Sequence, residues 1–127
     1  MLSREQLLGM TERRYKDLDD IIGGVRIRSL SEAEKSDYEV SVLTNDGKFA
    51  AAKIRRQKRR LIVMCLVDEN NNRLLRDSDE KQLEAVDGAI TSRLYEACRE
   101  HCGFEPGEIE ELVKNSSEMP ADVSPSD

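Results

Sequence analysis

Three residues with reactive or metal-binding side chains lie close together in the last third of the chain: Cys98, His101 and Cys102. Their spacing of i, i+3 and i+4 places all three on one face if the segment is helical. Thiolate sulfur and imidazole nitrogen are ligands that zinc prefers, so the trio is a weak candidate metal site. A structural zinc site normally has four ligands, and the fourth would have to be Cys65 or a carboxylate. The alternative is a helix that buries two small thiols and holds His101 near its C-terminal dipole.

The same residues could carry out nucleophilic catalysis, in which His101 activates Cys98. That chemistry needs a third group to orient the base, and the sequence indicates none. It also contains no Gly-rich phosphate loop, no Ser-centred elbow and no paired carboxylates in an apolar setting. We therefore expect a protein that is not an enzyme and that has no cofactor. An odd number of cysteines in apolar positions is typical of a reduced cytosolic protein.

A basic run covers residues 53–60 and is followed by seven consecutive apolar residues. Clustered cations favour nucleic-acid binding through counterion release, but no aromatic residue is interleaved for base stacking. The run is also compatible with a solvated helix face, with a contact to an acidic protein partner, or with a nuclear-import signal. Seven apolar residues are far fewer than the roughly 20 that a membrane-spanning helix needs.

Charge is distributed unevenly along the 127 residues. The net charge is −6, which argues against a dedicated nucleic-acid binder. Residues 1–76 carry 16 basic and 12 acidic side chains, whereas residues 77–127 carry 4 basic and 14 acidic ones. A positive and a negative surface in one small domain favour self-association or a polar partner interface, although two solvated faces would give the same pattern.

Local patterns predict the elements of the N-terminal half. Residues 1–12 form a separate segment that includes a short helix, because Ser3 and Gln6 form a capping box. Alternation in Val25–Leu30 predicts a strand that pairs with Arg14–Leu18 through a Gly23-Gly24 turn, with the arginines in solvent. A second capping box, Ser31 with Glu34, starts the next helix.

The second half is predicted to be mainly helical. A long helix from about Lys48 to Leu66, with its cations and aliphatic residues on opposite sides, yields to a short extended piece, although Leu61–Val67 could also be a strand. An Asn-rich turn and an acidic helix follow, and Gly88 separates that helix from one that Gly103 ends. A last short helix begins at Pro106. We expect a single α+β domain over residues 13–115, with a small N-terminal β-hairpin or sheet, and a disordered acidic tail at residues 116–127.

The order of these patterns resembles that of the tail assembly chaperones of long-tailed phages and prophages. "IIGGVRIRSLSEAEKSDYE" resembles the N-terminal signature of that family, and "RLIVMCLVDENNNRLLRDSDEKQLEAV" resembles its middle. "ITSRLYEACREHCGFEPGEIEELVKN" resembles its ending. The similarity covers roughly residues 13–115 and lies in the order and spacing of the motifs.

The resemblance implies a small non-enzymatic α+β domain that binds the tape-measure protein and helps to recruit tail-tube subunits. Such a protein acts in the host cytoplasm, assembles in several copies and is absent from the finished tail. We expect a positive partner-binding face formed by Arg55, Arg56, Arg59 and Arg60. Its complement would be the acidic helices around Asp79–Glu84 and Glu108–Glu111, with Asp79, Glu80, Glu108 and Glu111 as candidate contacts. The alternatives are a small DNA-associated regulator that uses the basic helix 53–60 and a zinc-stabilised interaction domain.

Overall fold

A three-stranded antiparallel sheet, two of whose strands lie in the N-terminal part of the chain, is packed against helices. The computed structural model describes residues 1–21, 23–42, 50–108 and 111, with the side chains of all of these except 42 and 50–55. The predicted α+β class is confirmed. The predicted turn at 44–48, the apolar face of the last helix (Ile109, Leu112 and Val113) and the predicted disordered tail at 116–127 lie outside the described residues.

The N-terminal hairpin forms as the sequence predicts. Strand β1 (Tyr15–Leu18) pairs with strand β2 (Val25–Arg28), and Leu18 lies opposite Val25. Gly23 and Gly24 have φ angles of 89° and 74°, a region that L side chains rarely adopt, so the turn requires glycine. Strand β3 (Leu66–Val67) adds to the other edge of β2 and gives the order β1-β2-β3.

The prediction that both strand arginines lie in solvent is wrong for Arg28. Its side chain is only 13% exposed, and its Nε donates a hydrogen bond of 2.8 Å to the carbonyl oxygen of Met64. Its Nη2 atom also lies 3.8 Å from the Glu34 carboxylate, so Arg28 contacts both the helix that follows β2 and the helix that precedes β3, which a single alternating strand cannot reveal.

Both predicted capping boxes are present. Helix α1 (Arg4–Leu8) starts at Ser3, whose backbone N–H and side chain pair with Gln6 at 2.8 and 3.0 Å. Helix α2 (Glu32–Val42) starts in the same way, with Ser31 and Glu34. These boxes satisfy backbone N–H groups that have no partner within the helix.

Helix α3 (Ala50–Cys65) is the long helix that the basic run and the apolar run predict, and it passes directly into β3. The predicted separation into two sides does not extend to its end. Leu61, Ile62, Val63 and Cys65 are all at most 1% exposed, so the final turns are buried nearly all round. Neighbouring elements therefore enclose this end of the helix, and the polar and apolar parts separate along its axis as well as around it.

The acidic segment Asp77–Ala85 forms a 3₁₀ helix, whereas the sequence predicts an α-helix there. Its N-cap is Arg76, whose backbone N–H donates to the Asp79 carboxylate at 2.8 Å. None of its residues is buried, so no continuous apolar stripe stabilises a regular α-helix.

Helix α4 (Gly88–His101) completes the described domain. Asp87 caps its start, and Gly103, with a φ angle of 84°, follows its end. Phe104 then turns back into the core, where its ring contacts that of Tyr38 edge to face at 5.4 Å between centroids. The core thus draws residues from the sheet and from helices α2, α3 and α4.

Candidate functional site

The basic side chains of α3 and the acidic side chains of the 3₁₀ helix face each other within one molecule. Arg59 lies 3.2 Å from Glu84 and 3.9 Å from Glu80, measured from Nη2 to the carboxylate oxygens. Arg56 reaches Glu80 at 3.5 Å. The Glu80 and Arg59 side chains at the centre of this cluster are only 13% and 20% exposed, whereas Arg56 and Glu84 are 65% and 53% exposed.

Two further arginines form ion pairs with the same carboxylate at the start of the 3₁₀ helix. Asp77 lies 3.5 Å from Arg60 and 2.9 Å from Arg73. The hydrogen bond from Arg73, together with the charges of both guanidinium groups, lowers the pKa of Asp77 below its ordinary value. Three of the four predicted arginines are therefore matched by acidic groups of the same chain, and the side chain of Arg55 lies outside the described residues.

The other predicted acidic residues do not join this cluster. Asp79 caps the 3₁₀ helix, as described above, and its second oxygen lies 3.5 Å from the amide nitrogen of Gln82. Glu108 accepts a hydrogen bond from the Glu105 backbone N–H at 3.1 Å, and Glu111 is exposed. These residues stabilise local turns or face solvent, so they are not brought together as one binding surface.

The three cysteines meet in the core, but His101 turns away from them. The Sγ atoms of Cys65 and Cys102 are 3.5 Å apart. The Nε2 atom of His101 lies 3.0 Å from the carbonyl oxygen of Arg14, so the imidazole ring links the end of α4 to the residue before β1. Among the described residues no group of three or more Cys, His, Asp or Glu side chains is arranged to hold a metal ion.

The thiols are also poorly suited to act as nucleophiles. The hydrogen bond with Cys65 and burial both raise the pKa of Cys102. Hydrogen bonding with Cys102 lowers the pKa of Cys65, but Cys98 and burial raise it more, and the pKa lies well above its ordinary value. A thiol that stays protonated at neutral pH is neither a ready nucleophile nor a ready metal ligand. The arrangement acts as core packing.

An ion pair that the sequence did not predict joins the residues just before β1 to α2. Arg13 donates two hydrogen bonds to the Glu34 carboxylate, at 2.6 and 2.7 Å, and a third to the carbonyl oxygen of Ser29. The bonds from Arg13 and from the Ser31 backbone, with the nearby charge of Arg28, lower the pKa of Glu34 to about 2. Glu34 therefore caps the helix and fixes the chain before β1.

An open groove of about 390 Å³ lies between α3, the 3₁₀ helix and α4. Its buried lining residues are Ile62 and Tyr95, and Leu83 and Val86 extend the apolar surface outward. Four further exposed lining residues are charged or polar: Lys58, Glu84, Ser92 and Glu96. An apolar floor with a charged rim is typical of a surface that accepts the apolar face of a helix.

The groove is bordered by the ion-pair cluster. Arg59 lines it while its guanidinium group contacts Glu84. The Nζ atom of Lys58 lies 5.4 Å from the centroid of the Tyr95 ring, a cation–π distance. The predicted partner residues Arg56 and Glu80 thus stabilise one wall, and the open surface beside them is the candidate site.

A second concavity, of about 430 Å³, lies beside the hairpin turn and the Asn-rich turn. Half of its lining residues are charged, and its Arg26 pairs with Asp17 at 2.6 Å and with Asn71 at 3.0 Å. Because Arg26 already has partners within the chain, the groove on α3 and α4 is the better candidate for protein binding.

Comparison with known proteins does not classify this chain. No protein-family model, curated protein or solved structure matches this chain. Within the part of the chain that the structure describes, every helix is too short or too polar to cross a bilayer. The function must therefore be argued from the groove and from the sequence patterns.

Proposed function

We propose that this chain is a non-enzymatic tail assembly chaperone of a long-tailed phage or prophage that binds the tape-measure protein. The observation that carries the proposal is the open groove on α3 and α4, in which apolar side chains form the floor and charged side chains form the rim. The order of sequence motifs between residues 13 and 115 supplies the identity of the partner.

The groove suits a helical partner. A helix with apolar residues at i, i+3 and i+4 presents a stripe that can cover Ile62, Val86 and Tyr95. Polar residues beside that stripe would meet Lys58 on one side and Glu96 on the other. The net charge of −6 would then keep a long, coated polypeptide dispersed in the host cytoplasm until tail-tube subunits are recruited.

The DNA-binding alternative receives less support. Arg56, Arg59 and Arg60 each lie within 4 Å of a carboxylate of the 3₁₀ helix. A phosphate backbone would have to compete with these carboxylates, which reduces the gain from counterion release. The zinc-stabilised alternative would need His101 to leave the Arg14 carbonyl oxygen.

Co-expression with the tape-measure protein tests the proposal. The gene of the tape-measure protein is expected just downstream of the gene of this chain, as a very long open reading frame rich in coiled coil. We expect the tagged chain to keep that protein in the soluble fraction and to co-purify with it. Insolubility of the long protein in the presence of this chain, or its loss during purification, would contradict the proposed function.

A pair of valine variants tests the groove separately. Val86→Glu places a charge in the groove, whereas Val40→Glu places the same charge on α2, at a residue that is 66% exposed and does not line the groove. We expect Val86→Glu to weaken co-purification and Val40→Glu to leave it unchanged. Equal binding by both variants would show that the partner uses another surface, even if the function is correct.

A further inference from the structure

The first ten residues, here called the N-terminal segment, expose an unusual amount of apolar surface. Every residue from Met1 to Glu12 is exposed, and none of α1 is buried. Five large apolar side chains lie in this segment with more than half of their surface in solvent: Met1, Leu2, Leu7, Leu8 and Met10. A concentration of large exposed apolar side chains in one short segment favours an interaction site.

The segment is ordered locally without support from the rest of the described domain. Its capping box closes the start of α1, and the backbone N–H of Gly9 bonds to Glu5 at the end. A five-residue helix is marginal on its own, because nucleation fixes several residues for each hydrogen bond gained. Packing of Leu7 and Leu8 against another surface would stabilise it.

The groove on α3 and α4 offers that surface, and its α3 side contributes two cations. Arg59 lines the groove, and its Nε atom is buried with no hydrogen-bond partner among the described atoms. Lys58 adds a second cation and makes no ion pair within the described part of the chain. The last carbonyl groups of a short helix such as α1 carry partial negative charge and lack partners within the helix. The leucines of α1 therefore match the apolar floor, and the partial negative charge at its C-terminal end matches Lys58 and the Nε–H group of Arg59.

We propose that the N-terminal segment of one copy docks in the α3–α4 groove of a second copy of this chain. The contact is heterologous, because each copy contributes two different surfaces and can add to the next. It is driven by apolar burial, in contrast to the alignment of opposite charges that the sequence predicts. It does not rest on the proposed function, because it involves this chain alone. A tape-measure helix in the same groove would displace the segment.

Sedimentation velocity over a range of concentrations tests this contact with three full-length proteins. The wild-type chain is expected to form concentration-dependent oligomers at low salt and at about 1 M salt, since apolar contacts are not screened. Leu7→Glu/Leu8→Glu removes the docking segment, and Val86→Glu blocks the groove. Each change should weaken association at least about tenfold, the factor expected when an apolar contact of this size is lost. A Val40→Glu/Leu74→Glu variant matches the added charge at two exposed residues outside the groove and should associate like wild type.

Mixing the two defective variants gives the sharpest result. The Leu7→Glu/Leu8→Glu protein keeps an intact groove, and the Val86→Glu protein keeps an intact segment, so the mixture should form a 1:1 dimer and nothing larger. Far-UV circular dichroism checks that each variant is folded. A wild-type chain that is monomeric at all concentrations would overturn the proposal. So would undiminished self-association of Val86→Glu, or oligomers that dissociate at high salt.

Discussion

Substitution of Glu34 by glutamine should produce a defined, pH-dependent loss of stability. The carboxylate accepts two hydrogen bonds from Arg13 and one from the Ser31 backbone, and its pKa is lowered from 4.5 to about 2. At 1.36 kcal/mol per pKa unit, this shift corresponds to about 3.4 kcal/mol at neutral pH. The pair is roughly one-third exposed (32% for Arg13 and 27% for Glu34), so solvent screening should reduce the measured loss to about 1–2 kcal/mol.

The sign of the pH dependence follows from the lowered pKa. A carboxylate with a lower pKa in the folded than in the unfolded state stabilises the fold above its unfolded pKa. This stabilisation is lost as the pH falls from about 4.5 through about 2. The difference in unfolding free energy between wild type and Glu34→Gln should be constant from pH 7 to about 5.5 and should fall by more than half at pH 3.

Urea unfolding followed by circular dichroism at 222 nm measures this difference, since the chain has no Trp for fluorescence. Asp37→Asn on the same helix is the control, because Asp37 is exposed and forms no ion pair with the described residues. Its stability should remain within about 0.5 kcal/mol of wild type at every pH. If the loss of unfolding free energy in Glu34→Gln is the same at pH 7 and at pH 3, then Arg13 does not lower the pKa of Glu34 in the folded protein.

Three further outcomes are expected. Glu80→Gln should lower the unfolding free energy by about 1–3 kcal/mol, because it leaves the largely buried Arg59 with a weaker partner, whereas Glu100→Gln at an exposed position should have little effect in the same urea assay. Cys65 and Cys102 should react slowly with iodoacetamide at pH 7 and rapidly in denaturant, as mass spectrometry can count; rapid labelling of either residue in the native protein would contradict its raised thiol pKa. A chelator should leave the melting temperature unchanged, whereas a fall of several degrees would revive the zinc alternative.

Local chemistry made part of the fold predictable. The pairs Ser3–Gln6 and Ser31–Glu34 start their helices because each pair satisfies backbone groups within three residues of itself. The Gly23-Gly24 turn is similarly local, since both residues must adopt a positive φ. Features of this kind depend on a few neighbouring side chains, so the sequence contains all the information needed.

Contacts between distant parts of the chain were not predictable in the same way. The sequence indicated opposite charges on α3 and on the acidic segment, but it could not show that Arg59 and Glu84 meet within one molecule. The groove was missed because Ile62 and Tyr95 occupy apolar periodic positions that are typical of core residues. The groove beside these two residues arises only from the way in which α4 packs beside α3. Val86 could have indicated the groove, because it is an apolar residue at the end of a segment that has no buried residues.

The 3₁₀ helix and the covered Arg28 are further consequences of tertiary context. Capping residues near Asp77 favour a helix start, but the choice between α and 3₁₀ geometry depends on what the segment packs against. In the same way, the alternation in β2 assigns Arg28 to the face opposite the core, and only the neighbouring helices determine that water is excluded there.

Site-specific photo-crosslinking can show directly whether the tape-measure protein binds in the groove on α3 and α4. A photoreactive amino acid is placed at position 86 in the groove, or at the exposed position 40 as a control, in cells that express the chain together with the tape-measure protein. We expect irradiation to link position 86, and not position 40, to the tape-measure protein. Absence of that adduct at position 86, with the long protein present and soluble, would contradict binding in the groove.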